Sequence, residues 1–165
     1  MTISSIPNSP VEFLELQRVQ LAKDQGFAFF LIRPQDGMPG FAYSIGMAQH
    51  DLPEFLCYFS TEEQGLQVMG LLHNLCKTMI EGVSRFDRIE LLRAFCHRRI
   101  NATDPAVTYT PKFLTGDSYR YALEAVLTRA VRYRDQLGMP KCIELQHDDV
   151  PSIDAVRAME MLAKS

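Results

Sequence analysis

The 165-residue chain is poor in the residue patterns that build metal centres, disulfide scaffolds, membrane spans and nucleic-acid interfaces. Its four cysteines, at 57, 76, 96 and 142, form no C-x-x-C pair. Its four histidines, at 50, 73, 97 and 147, show no H-x-x-x-H or H-E-x-x-H spacing, so no metal site is expected. A chain this long and this sparse in cysteine needs no disulfide framework, and four reduced, mostly buried thiols of a cytoplasmic protein are expected. No apolar run approaches the roughly 20 residues of a membrane span. The opening MTISSIPNSP lacks the basic and apolar regions of a signal peptide, and no membrane association is expected. There is no excess of basic charge. The net charge is −3 and the pI about 5.8, so no nucleic-acid partner is expected, because such partners select a basic stripe. Internal repeats, low-complexity tracts and blocks of like charge are absent. So are G-x-S-x-G, P-loop and dinucleotide-binding glycine patterns.

What is present fits one domain with an ordinary core, spanning residues 1–165. After a loose tail over 1–7, Ser9, Pro10 and Glu12 read as N-cap, N1 and N3 of a helix ending near Gln25, with Gly26 as its stop. Val11, Leu14, Arg18 and Leu21 form its expected stripe, widened by Phe13 and Leu16. Phe27 to Ile32 reads as a strand buried on both faces, followed by Asp-Gly and Pro-Gly turn punctuation. Strands over 41–47 and 55–59 complete an expected antiparallel meander, since connections this short forbid parallel crossovers.

A second helix is expected from a Ser60–Glu63 capping box to Gly82. Residues 83–92 read ambiguously. Ala94–Ile100 reads as a fourth strand, residues 101–117 as irregular, Tyr119–Leu137 as a helix, Lys141–His147 as a fifth strand and 152–163 as a final helix. The expected fold is α+β: a mostly antiparallel sheet of about five strands with helices packed mainly on one face.

The segments Gly40-Phe41-Ala42-Tyr43-Ser44-Ile45-Gly46 and Leu52-Pro53-Glu54, and the helix that follows them, resemble the bacterial domain-of-unknown-function family numbered 4262. The resemblance covers residues 26–151, leaving a helical extension over 1–25 and a C-terminal helix over 152–165. It implies a small accessory protein of bacteria or their phages, with a role in defence or counter-defence, and names no reaction, ligand or cofactor. Relatives end the last strand in an aromatic and an aspartate. Here Glu144-Leu145-Gln146-His147-Asp148 stands instead, and the chain has no tryptophan, so only Asp148 carries over.

Candidate ligand-binding residues follow from this corner and from two polar clusters: Tyr43, Ser44, His50, Glu54, Arg98 and Asp148. Tyr43 and Ser44 alternate along a strand, so at most one of them shares a pocket with Glu54. The corner also reads as a structural bend in which Gly46 turns the chain and Glu54 caps nearby amides. Arg98, in His97-Arg98-Arg99, offers a forked donor to an anionic ligand, or pairs with an acid. Cys96 and His97, adjacent on a strand, would face apart and make no nucleophilic dyad. His147-Asp148-Asp149 fits a histidine–carboxylate base or an ordinary turn. Two functions follow. One is a binding or interaction module for a small anionic ligand or a protein partner. The other is a small hydrolase or transferase in which Tyr43, His50, Glu54 and Asp148 converge. The apolar residues of the last helix, Ile153, Val156, Met159, Met161 and Leu162, suit a homodimer contact.

Overall fold

The computed structural model describes residues 9–85, 87–96, 100–101 and 108–164. Arg98, with its neighbours His97 and Arg99, lies outside the described residues, as does the side chain of Cys96. Helix α1 (Pro10–Gln25) begins where expected: the Ser9 hydroxyl accepts from the Glu12 amide, and Gly26 closes it at φ 100°. Strand β1 (Ala28–Ile32) turns through Asp36 and Gly37, both at positive φ (52° and 75°). That is the backbone an Asp-Gly type I′ hairpin requires. Strand β2 (Gly40–Ile45), a 3₁₀ turn (Met47–His50) and β3 (Glu54–Phe59) complete the meander, antiparallel throughout.

Helix α2 (Glu62–Val83) is capped one residue later than expected. Thr61 and Gln64 form its capping box, since only that register returns the Gln64 side chain to the N-cap amide.

The second half departs further from expectation. Ala94 to Cys96 belong to helix α3 (Arg88–Cys96), not to a strand. Phe95 there packs on Phe55, with ring centroids 5.2 Å apart. A short run of alternating apolar and charged residues satisfies a helical turn as well as a strand, and tertiary packing decides between them. Strand β4 is only Ile100–Asn101. Strand β5 (Thr108–Phe113) occupies part of the segment expected to be irregular. Pro111 hides it in the sequence; among the described residues β4 pairs only with Thr108 and Tyr109, so Pro111 lies beyond that described ladder.

The expected helix over 119–137 is broken into α4 (Gly116–Tyr121), a π-helical turn (Ala122–Val126), α5 (Thr128–Arg132) and α6 (Arg134–Leu137). Strand β6 (Cys142–Gln146) and helix α7 (Ile153–Ala163) follow.

The sheet order is β1-β2-β3-β6-β5-β4. The β3–β6 pair is parallel and the other pairs are antiparallel, so the sheet is mixed. The helices cover both faces rather than mainly one. Val19 and Ala22 of α1, Val126 to Ala130 and Ile153 and Val156 of α7 pack with Tyr43, Leu56 and Tyr58 on one side. Val68, Leu72, Cys76 and Met79 of α2 pack with Phe55, Cys57 and Phe59 on the other. Every residue of β3 is buried, as a central strand between two helical layers must be.

Helix α1 buries a face turned about 90° from the one expected, at 3.6 residues per turn. Glu15, Val19 and Ala22 point inward, while Val11, Leu14, Arg18 and Leu21 remain exposed. Small Ala22 lets the helix approach the sheet closely. Among the described residues, no helix is long and apolar enough to cross a membrane.

Candidate functional site

The opening corner is a closed hydrogen-bonded bend. Glu54 is 1% exposed. Its carboxylate accepts from the Ser44 hydroxyl at 2.8 Å and from the amides of Met47 and Ala48, each at 3.2 Å. Gly46, at φ 98°, turns the chain so that those amides face inward; an added Cβ would lie 3.0 Å from Ala22 Cβ and from the Gly26 carbonyl. Burial pushes the Glu54 carboxyl up to about 8, against the pull of Ser44 and the backbone donors. This is the structural form of the bend, with Glu54 capping nearby amides.

Tyr43 faces the opposite side, and its hydroxyl accepts from the Arg129 amide at 3.4 Å. His50 turns away to the Gly26 carbonyl, 3.1 Å from Nε2, and so ties the bend to the end of α1. Asp148 is exposed in the turn after β6. Because Glu54 is in register with Cys142 on parallel strands, Asp148 lies at the far end of the sheet, about 20 Å away at 3.3 Å per residue. Ser44 and Glu54 are therefore brought together, whereas Tyr43, His50 and Asp148 do not join them in one pocket. Cys57, Cys76 and Cys142 are free and buried, and burial raises their thiols above the ordinary range.

Two further glutamates are buried. Glu144, on β6, accepts from the Ile153 amide at 2.8 Å and from Gln146 at 2.9 Å, capping the start of α7. Glu15, on α1, accepts from Arg132 Nη1 at 2.8 and 2.7 Å, from Arg129 Nε at 3.2 Å and from Tyr133 at 2.8 Å. Glu144 thus holds α7 to the sheet, and Glu15 holds α1 to α5 and the Tyr133 that follows it.

Tyr58 is different. It is 3% exposed, and its hydroxyl has no hydrogen-bond partner among the described residues. It lines a cavity of about 210 Å³ between the β1–β2 hairpin tip, the π-helical turn and α7. Met38, Phe41 and Val156 supply apolar walls, while Tyr121 and Glu160 supply polar ones. Burial, then the neighbouring Tyr121, Glu144, Cys142 and Glu160, raises the Tyr58 phenol far above its ordinary range, so it is a neutral donor at any physiological pH. Tyr121 is raised as well, by burial and by its interaction with the Glu160 carboxylate.

The Leu127 amide reaches back to the Ala122 carbonyl at 2.7 Å, the wide bond of a π turn, which shapes this wall. An unsatisfied buried hydroxyl costs about 1–3 kcal/mol, and π turns recur at functional sites. Sequence reading passed over Tyr58 because an aromatic in an apolar central strand gives no sign of whether its hydroxyl finds a partner.

The chain matches no family model, no curated protein and no solved structure. The Gly40–Gly46 and Leu52–Glu54 segments turn the chain in this fold and bury a capped carboxylate.

Proposed function

We propose that the chain is a small-ligand-binding module whose site is the cavity over Tyr58. The observation that carries this reading is a buried hydroxyl without a partner among the described residues, on a tyrosine, Tyr58, that lines the cavity. Native interiors leave few such groups, and a ligand acceptor would satisfy this one. The site's volume is below the roughly 300–1,000 Å³ of drug-sized pockets, so the ligand is compact. The two acids on the lining, Asp36 and Glu160, outnumber its one cation, Arg33, which disfavours an anion, and the apolar walls favour a neutral molecule with one carbonyl or hydroxyl oxygen toward Tyr58. The corner residues are spent on the bend and take no part.

The test is native mass spectrometry of the purified protein against its denatured mass, followed by titration with cyclohexanone, a compact carbonyl probe. The expected result is a bound mass lost on denaturation, or saturable cyclohexanone binding, either of them weakened in Tyr58→Phe and in Ala125→Phe, which narrows the mouth. A clean wild-type mass together with no saturable cyclohexanone binding overturns the reading.

A further inference from the structure

One edge of the sheet is formed by β1. Strand β1 pairs only with β2, and its outer side meets no strand among the described residues. Ala28–Ile32 holds no charged residue, proline or bulge, the devices by which exposed edges usually block further pairing. Helix α1 on one face and α2 on the other flank this edge. Between them runs a groove of about 290 Å³, lined by Val11, Leu14, Phe29, Leu31 and Met69, with Arg18 and Arg129 beside them.

The apolar stripe of α1 that the core leaves unused forms one wall of this groove. Val11 and Leu14 are each 60% exposed, and Leu31 on the strand is 39% exposed. The electrostatics point one way. Glu15 is consumed by Arg132, Arg129 and Tyr133, and Arg18 one turn along has no carboxylate partner among the described residues. The groove lining thus holds two guanidinium groups, Arg18 and Arg129, against one carboxylate, Glu15, which Arg132 also pairs, a local basic excess in a chain of net charge −3.

We propose that this groove binds an extended segment of a partner protein, which adds a strand to β1, seats alternate apolar side chains between α1 and α2, and places a glutamate or aspartate on Arg18. Strand addition draws affinity from backbone pairing and specificity from alternate side-chain pockets. A second copy of the chain is the poorer occupant, because residues 25–34 around its own β1 contain no acid to meet Arg18.

The test is fluorescence anisotropy of the full chain with a labelled peptide that alternates valine with threonine and carries one glutamate, beside the same peptide with lysine in its place. Saturable binding of the glutamate peptide is expected, with at least tenfold loss when alternate peptide amides are methylated. Arg18→Glu is expected to weaken the glutamate peptide at least tenfold and to restore binding of the lysine peptide. Leu31→Lys, at an exposed position, is expected to weaken both, with circular dichroism confirming that each variant folds. Three results would overturn the proposal: no saturable binding to the wild type, equal affinities in Arg18→Glu, or a wild-type dimer by light scattering that Leu31→Lys dissociates.

Discussion

Ser44 donates its hydroxyl to Glu54 across 2.8 Å, and the same oxygen accepts from the Phe55 amide at 2.9 Å. One small side chain on β2 thereby fixes both the carboxylate and the first amide after it on β3. Replacing Ser44 with alanine strands the Phe55 amide and one carboxylate oxygen contact. The expected cost is about 1–3 kcal/mol. At this chain length that lowers Tm by roughly 2–4 °C per kcal/mol, readable by differential scanning calorimetry.

The raised carboxyl of Glu54 makes stability depend on pH. Its folded value, about 8, lies above the ordinary 4.5, so between those values the folded state holds more protons than the unfolded one. Its contribution is fully present below about 4.5 and is lost as pH rises through 8, with a slope of up to about 1.4 kcal/mol per pH unit. Chemical denaturation from pH 5 to 9 is expected to show this decline in the wild type and a flatter profile in Glu54→Gln. Parallel profiles would remove Glu54 as the source.

Glu15 behaves in the opposite sense. Burial pushes its carboxyl up, but hydrogen bonds from Tyr133 and Arg132 and the charges of Arg132 and Arg129 outweigh burial and hold it below the ordinary value. Its contribution is present above about 4.5 and is lost as pH falls through the depressed folded value. Glu15→Ala is expected to cost about 1.5–3 kcal/mol at neutral pH, the worth of its lost charged hydrogen bonds, since Arg129 and Arg132 are 31% and 57% exposed and stay hydrated when released. A cycle with Arg132→Ala measures the coupling, and additive losses would count against the pair.

Tyr58→Phe is expected to leave the ligand-free protein as stable as the wild type or slightly more so, since it removes a buried hydroxyl that has no partner among the described residues. Most substitutions in a buried central strand destabilise, so a thermal melt gives a clear reading. A loss above about 1 kcal/mol would mean that the hydroxyl is already satisfied.

Truncation is a poor test of the homodimer reading. Removing residues 152–165 takes away Ile153 and Val156, which are core residues, and the helix start that Glu144 caps. Loss of cooperative unfolding is the expected outcome. Met161 is exposed, so Met161→Lys leaves the core intact. If copies associate through α7, light scattering will show a lower mass for that variant, and an unchanged mass refutes that contact.

Local chemistry was legible along the chain. Ser9, Pro10 and Gly26 set the limits of α1, Asp36-Gly37 set a hairpin, and the apolar runs at 28–32, 40–45 and 54–59 set three strands. These features act over a few residues, through φ preference, capping and alternation. The alternation of Tyr43 and Ser44 also foretold that they face apart.

Tertiary structure decided the rest, because the deciding partners are distant in sequence. Which stripe of α1 is buried depended on Arg129 and Arg132, more than a hundred residues away, drawing Glu15 inward. The covering of both faces depended on β6 pairing parallel to β3. Ala94–Cys96 became helical because Phe95 found Phe55. Tyr58 became a candidate site only because the described elements folded over it leave its hydroxyl without a partner among them, and such an absence is written nowhere in the chain.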